Sequence, residues 1–102
     1  MYIVTRCTYP SDKAKEVAQR YVKSITKFPD DASLGAFVIQ GAVRGTLQGL
    51  SVMIVFEPKK GKFEDAYALG VNRLAMFHDI PGFEYDIKAH YSLEEAMKVI
   101  GM

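Results

Sequence analysis

Residues 83–91, Phe83-Glu84-Tyr85-Asp86-Ile87-Lys88-Ala89-His90-Tyr91, alternate apolar and polar side chains almost without a break. Successive side chains of a strand point to opposite faces, so Phe83, Tyr85, Ile87, Ala89 and Tyr91 share one face while Glu84, Asp86, Lys88 and His90 share the other. Such a strand is covered on one side only, as in an antiparallel sheet with a single packed face. Ile80-Pro81-Gly82 supplies a sharp turn just before it. Ser92-Leu93-Glu94-Glu95 follows it with the order of a capping box, a serine at the cap and a glutamate three residues on. Leu93, Ala96, Met97 and Ile100 then predict a short closing helix, ended by Gly101.

Upstream, Phe63, Ala66, Tyr67, Gly70, Val71, Leu74, Phe77 and His78 recur at steps of three and four, which predicts a helix reaching about His78 after the break at Pro58-Lys59-Lys60-Gly61-Lys62. Gly70 lies on the apolar stripe, where it costs roughly 1 kcal/mol relative to alanine, and its expected role is close packing on the sheet. Two β-rich runs, Phe37–Val43 and Leu50–Phe56, flank a break at Gln48-Gly49 and read as a hairpin. Gly35, Gly41 and Gly45 soften its first arm and predict a bend. Residues 2–9, rich in β-branched and aromatic types, read as the first strand and end at Pro10. Ser11 is expected to cap the next helix, with Asp12 adding negative charge in its first turn. Ala14, Val17, Ala18, Tyr21, Val22, Ile25 and Phe28 form its apolar stripe. Glu16 stands four residues before Arg20, the favourable order for an ion pair, and Pro29 stops the helix.

Strand, helix, hairpin, helix, strand is the split βαβ order, so the expected architecture is a single ferredoxin-like α+β domain over residues 1–102. Right-handed crossovers place two helices on one face of a four-stranded antiparallel sheet of order 4-1-3-2, with the short C-terminal helix added. The third strand departs from one-sided burial. Val52, Ile54 and Phe56 fall on one face and Ser51, Met53, Val55 and Glu57 on the other, which leaves apolar groups on both. An exposed apolar patch of that kind predicts an interface, and a homodimer through the open sheet face is the expected partner arrangement.

In element order and alternation, residues 2–91 resemble the dimeric α+β barrel superfamily, in which two ferredoxin-like sheets pack face to face and enclose a pocket. The superfamily includes cofactor-free and haem-degrading monooxygenases, lactone isomerases, chlorite dismutase-like haem enzymes and stress-responsive proteins, so the resemblance implies a scaffold and not one activity. Ile80-Pro81-Gly82-Phe83 is similar to the Pro-Gly-Phe turn of the monooxygenase branch. There it leads from the first helix into the second strand; here it precedes the last strand, in a chain without tryptophan.

The 13 basic and 12 acidic residues alternate along the chain for a net charge of +1, which gives no electrostatic footprint for nucleic acid. Residues 1–6 lack the charged and apolar regions of a signal peptide, and no apolar run approaches the roughly 20 residues that span a bilayer. A cytoplasmic location, with no membrane partner, is the default expectation. Cys7 is the sole cysteine; it excludes an internal disulfide and is read as a small buried apolar residue.

No GxSxG, GxGxxG, GxxxxGK or HExxH string occurs. The candidate site is therefore a constellation on the open sheet face. Arg6, Arg44, Gln40 and Met53, with Thr8, are candidate ligand-binding residues for a small apolar or anionic molecule, and His90, Glu84 and Asp86 are candidate catalytic groups. Arg6 is expected beside Glu84 or Asp86 as a cross-strand pair. These charges read either as an acid–base or anion-binding site or as the solvated rim of a dimer. His78 is the candidate metal or haem ligand, or simply a histidine settled at a helix C-terminus. The sequence requires no cofactor, and haem is the alternative considered. Three functional readings follow: a small-molecule-binding dimer, a cofactor-independent or haem-dependent monooxygenase or isomerase on the same scaffold, and a protein-interaction module. Whether the chain is an enzyme stays open.

Overall fold

The computed structural model describes all of residues 1–102. The chain folds into four antiparallel strands and three α-helices: β1 (Tyr2–Tyr9), α1 (Ala14–Lys27), β2 (Gly35–Thr46), β3 (Gly49–Pro58), α2 (Phe63–Ala75), β4 (Glu84–His90) and α3 (Leu93–Val99). Across the sheet the order is β2-β3-β1-β4. Counted from the β4 edge this is 4-1-3-2.

Registers sort the side chains by face. Ile3, Thr5 and Cys7 of β1 stand opposite Phe56, Ile54 and Val52 of β3 and opposite Ala89, Ile87 and Tyr85 of β4. Ile3, Thr5 and Cys7 are buried, so this is the helix-covered face. On it, Phe83 stacks on Phe77 at 4.8 Å between ring centroids, and Tyr85 stacks on His78 at 5.6 Å. The hairpin arms extend further than their apolar runs, and register shifts occur between Phe37 and Ile39 and between Ile39 and Ala42. These bulges change the facing of β2, the outcome expected of its soft glycine-containing arm.

Three local expectations are corrected. Ser11 does not cap α1: Ser11–Lys13 form a 3-10 turn closed by Lys13 N–H donating to the Pro10 carbonyl, and the α-helix begins only at Ala14, beyond reach of the serine. Arg20 does not pair with Glu16; its guanidinium crosses to α2's end and donates to the Met76 carbonyl and to Asp79. A planar fork gains more from two fixed acceptors than from one mobile carboxylate on its own helix. Finally, α2 stops at Ala75. Residues beyond it tighten into three-residue turns, with Phe77 N–H donating to Leu74 O and Ile80 N–H to Phe77 O. That tightening turns both Phe77 and Ile80 inward. By contrast, Ser92 and Glu95 form the reciprocal capping box at the start of α3.

The core is divided. Ile3, Leu34 and Ala66 make one buried cluster, and Val17, Phe77 and Ile80 another. The chain exposes 6881 Å², against about 5,800 Å² for a compact protein of its mass. Its radius of gyration is 14.8 Å, whereas a compact 102-residue chain has one of about 13 Å. Both excesses say that the chain is more open than a compact domain of its size, and Tyr21, Val22, Val38 and Val43 are among the apolar side chains it leaves exposed.

Candidate functional site

Between the helices and the covered face of the sheet lies a cleft of about 870 Å³, lined by 28 residues of which 19 are hydrophobic. Its floor is β1, β3 and β2: Ile3, Thr5 and Cys7, then Val52, Ile54 and Phe56, then Phe37 and Val43. Its roof is the apolar stripe of α1 and the inner face of α2, with Gly70 and Leu74. The cleft exists because α1 does not descend fully onto the sheet. Tyr21 and Val22 belong to its apolar stripe, yet they stay 41% and 59% exposed while lining the gap.

Two clamps hold α1 at this height. Arg20 ties its outer side to Met76 and Asp79, as above. Arg73 of α2 donates through Nε and Nη2 to the Phe28 carbonyl at 2.8 and 2.5 Å, and through Nη2 to Asp30 at 2.8 Å, gripping the helix C-terminus. At the same end Asp31 accepts from Ser33 N–H and Oγ at 2.9 and 2.6 Å, which holds its carboxyl below the usual range. Ser24, fully buried under the roof, donates to the Tyr21 carbonyl at 2.7 Å. Arg73, Asp30 and Asp31, the charged groups on the lining, are therefore all engaged within the chain.

Two floor groups are different. Burial, with a smaller contribution from the Asp86 charge, pushes the Cys7 thiol up to about 11, so it is neutral at physiological pH. Thr5, between Ile54 and Ile87 in register, is 7% exposed and lines the same cleft.

The residues singled out in the sequence occupy other places. Arg6, Arg44 and Met53 come together around a shallow depression of about 150 Å³ on the opposite, helix-free face, with Ser51 and Ala42. Gln40 does not join them; the bulges in β2 carry it to the rim of the large cleft. Asp86 stands opposite Arg6 in register, and Glu84 opposite Thr8. The ion pair that Asp86 makes is with Lys88, at 3.7 Å. His90 pairs with Tyr2 at the far end of the β4 edge, and His78 lies on the other side of the sheet, its Nε2 2.8 Å from the Tyr85 hydroxyl. The two histidines and the Glu84–Asp86 pair thus do not converge. No group of three or more His, Cys, Asp or Glu is positioned to hold a metal ion.

No model of a known protein family matches this chain, and no curated protein does. Among solved structures, the de novo designed protein Foldit4 overlaps 88% of this chain and 96% of its own, at 8% identity and a TM-score of 0.49. Protein Atu4242 from Agrobacterium tumefaciens overlaps 91% of this chain and 96% of its own, at 10% identity and a TM-score of 0.47. Overlaps of this level carry no argument about function.

The cleft was not legible as such from the sequence. The signal for it was Thr5, a hydroxyl set by period two among Ile3, Cys7 and Tyr9 on the face that the helices cover.

Proposed function

We propose that the protein binds an apolar small molecule in the cleft between its helices and its sheet, and does so as a homodimer closed through the other sheet face. The observation that carries the reading is the cleft: about 870 Å³ of mostly apolar lining, within the range of about 300–1,000 Å³ typical of small-molecule sites. Empty, such a gap forfeits the dispersion contacts that a filled core makes. Neither histidine lines it, so the reading is one of binding.

The dimer rests on the pattern of the open face. Its rows run Lys88, Val4, Val55, Ile39; then Asp86, Arg6, Met53, Ala42; then Glu84, Thr8, Ser51, Arg44. A two-fold axis along the strands lays the β4 edge of one copy over the β2 edge of another. That operation sets Val4 against Val55 at the apolar end and Glu84 against Arg44 at the charged end of the second copy, while Lys88 and Asp86 at the β4 edge meet Ile39 and Ala42 at the β2 edge. Two such sheets face to face make the dimeric ferredoxin-like arrangement.

Titration with Nile red, a neutral dye that brightens and shifts to the blue in apolar surroundings, tests the binding reading. Saturable binding at about one dye per chain is expected, abolished by Val52→Trp, which fills the floor. A signal that fails to saturate, or one that survives Val52→Trp in a folded variant, overturns it.

A further inference from the structure

Some polar groups of the cleft are already engaged, Tyr9, Tyr21 and Gln40 keep access to solvent, and one buried hydroxyl has no partner. Arg73, Asp30, Asp31 and Ser24 have partners within the chain. Thr5 has none among the side-chain hydrogen bonds, although it is more than nine-tenths buried. No fully sealed polar atom lacks a partner, so the Thr5 hydroxyl is not sealed; it opens onto the cleft whose floor it helps to form. A threonine at this point is not needed for the strand. Valine has the same shape and β-branching, and the flanking floor positions Ile54 and Ile87 are apolar.

We infer that the cleft selects an uncharged, lipid-like molecule whose single hydroxyl or carbonyl group hydrogen-bonds to Thr5 at the centre of the sheet. The inference rests on the proposed binding reading and narrows its ligand class. Charge is excluded by the lining, because a charged head on this floor loses its water and finds only engaged or neutral groups in return. The neutral Cys7 thiol, two residues from Thr5, shows how strongly the floor opposes charge. One oxygen is favoured because a hydroxyl left facing an entirely apolar ligand forgoes its hydrogen bond, whereas a group aligned with it completes the one buried hydroxyl of the floor that has no partner.

Displacement of Nile red by 1-dodecanol and by dodecanoate at pH 8 tests this, with Thr5→Val and Thr5→Ser compared with the parent. The expected result is that dodecanol displaces the dye at a concentration at least tenfold below that of dodecanoate. Thr5→Val weakens dodecanol about fivefold, the worth of one neutral hydrogen bond, and Thr5→Ser restores most of the loss. Equal displacement by the two probes, or a dodecanol affinity indifferent to Thr5→Val, overturns the ligand class while leaving the binding reading intact. Absence of saturable dye binding in the parent overturns both. Thermal melts confirm that the isosteric variant is folded.

Discussion

At the scale of single residues, the floor of the cleft imposes itself on chemistry as well as on packing. Cys7 ionises near pH 11 in the folded chain and near 9.0 once exposed. Folding therefore raises the pKa of an acid: the associated stability is fully present below pH 9 and declines as pH rises through 11, by about 2 to 3 kcal/mol for a shift of this size. Urea melts between pH 8 and 11 are expected to show that decline in the parent and its absence in Cys7→Ala. An equal decline in both would place its origin elsewhere. Gly35 is a different case, where shape alone decides. Its φ is +146°, and a Cβ there would lie 2.1 Å from the Glu57 carbonyl oxygen. Gly35→Ala is expected to destabilise by about 3 kcal/mol or more, since backbone strain and a clash with immovable backbone combine. Gly45, with nothing within 4 Å of the same added atom, is the control, and its alanine variant is expected to melt like the parent.

The element that matters most is α1, because its height above the sheet sets the width of the cleft. Apolar packing alone does not hold it there; the Arg20 and Arg73 clamps do. The Arg20 hydrogen bond keeps the Asp79 carboxyl below its ordinary range. A depressed acid of this kind contributes at and above the usual carboxylate pKa, and its contribution is lost as pH falls through the lowered value. Arg20→Ala at neutral pH, and acidification of the parent, should therefore have the same consequence, a looser α1. Hydrogen-exchange protection across residues 14–27 is expected to drop about two- to fivefold in the variant, a size suited to an exposed ion pair. Unchanged protection in Arg20→Ala would show that the roof stands without this tie. The periodic stripe of α1 was plain in the sequence. Its partner was not, since Glu16 is near Arg20 in sequence and Asp79 only in space.

For the whole molecule, the Val4–Val55 and Glu84–Arg44 matches of the proposed two-fold lead to one measurement. Sedimentation equilibrium at micromolar concentration is expected to give twice the 11.4 kDa chain mass. Val55→Asp places a charge against Val4 of the second copy and is expected to leave a folded monomer. Glu84→Arg alone should weaken the dimer, and adding Arg44→Glu should recover it, because the two-fold pairs these positions with each other. A parent that sediments as a single chain, or a double variant no better than Glu84→Arg, would dissolve the proposed interface. Dye binding in the helix-side cleft would be unaffected by that result, since the two faces of the sheet are independent surfaces.

What the sequence determined by itself was the set of elements and their facing. Alternation over residues 83–91 placed Tyr85 and Ile87 toward the helices, the Ser92–Glu95 box started α3, and β3 carries apolar residues on both sides, Val52, Ile54 and Phe56 on one and Met53 and Val55 on the other. These are local properties: side-chain period, capping geometry and turn chemistry are encoded within a few residues of where they act. Only the tertiary structure decided where the room is. Gln40 parted from Arg6, Arg44 and Met53 because two bulges shifted β2, and the cleft opened on the helix side because Arg20 and Arg73 found acceptors about 50 residues away in sequence. The distance between two layers is fixed by contacts that span the chain, and no periodicity within either layer records it.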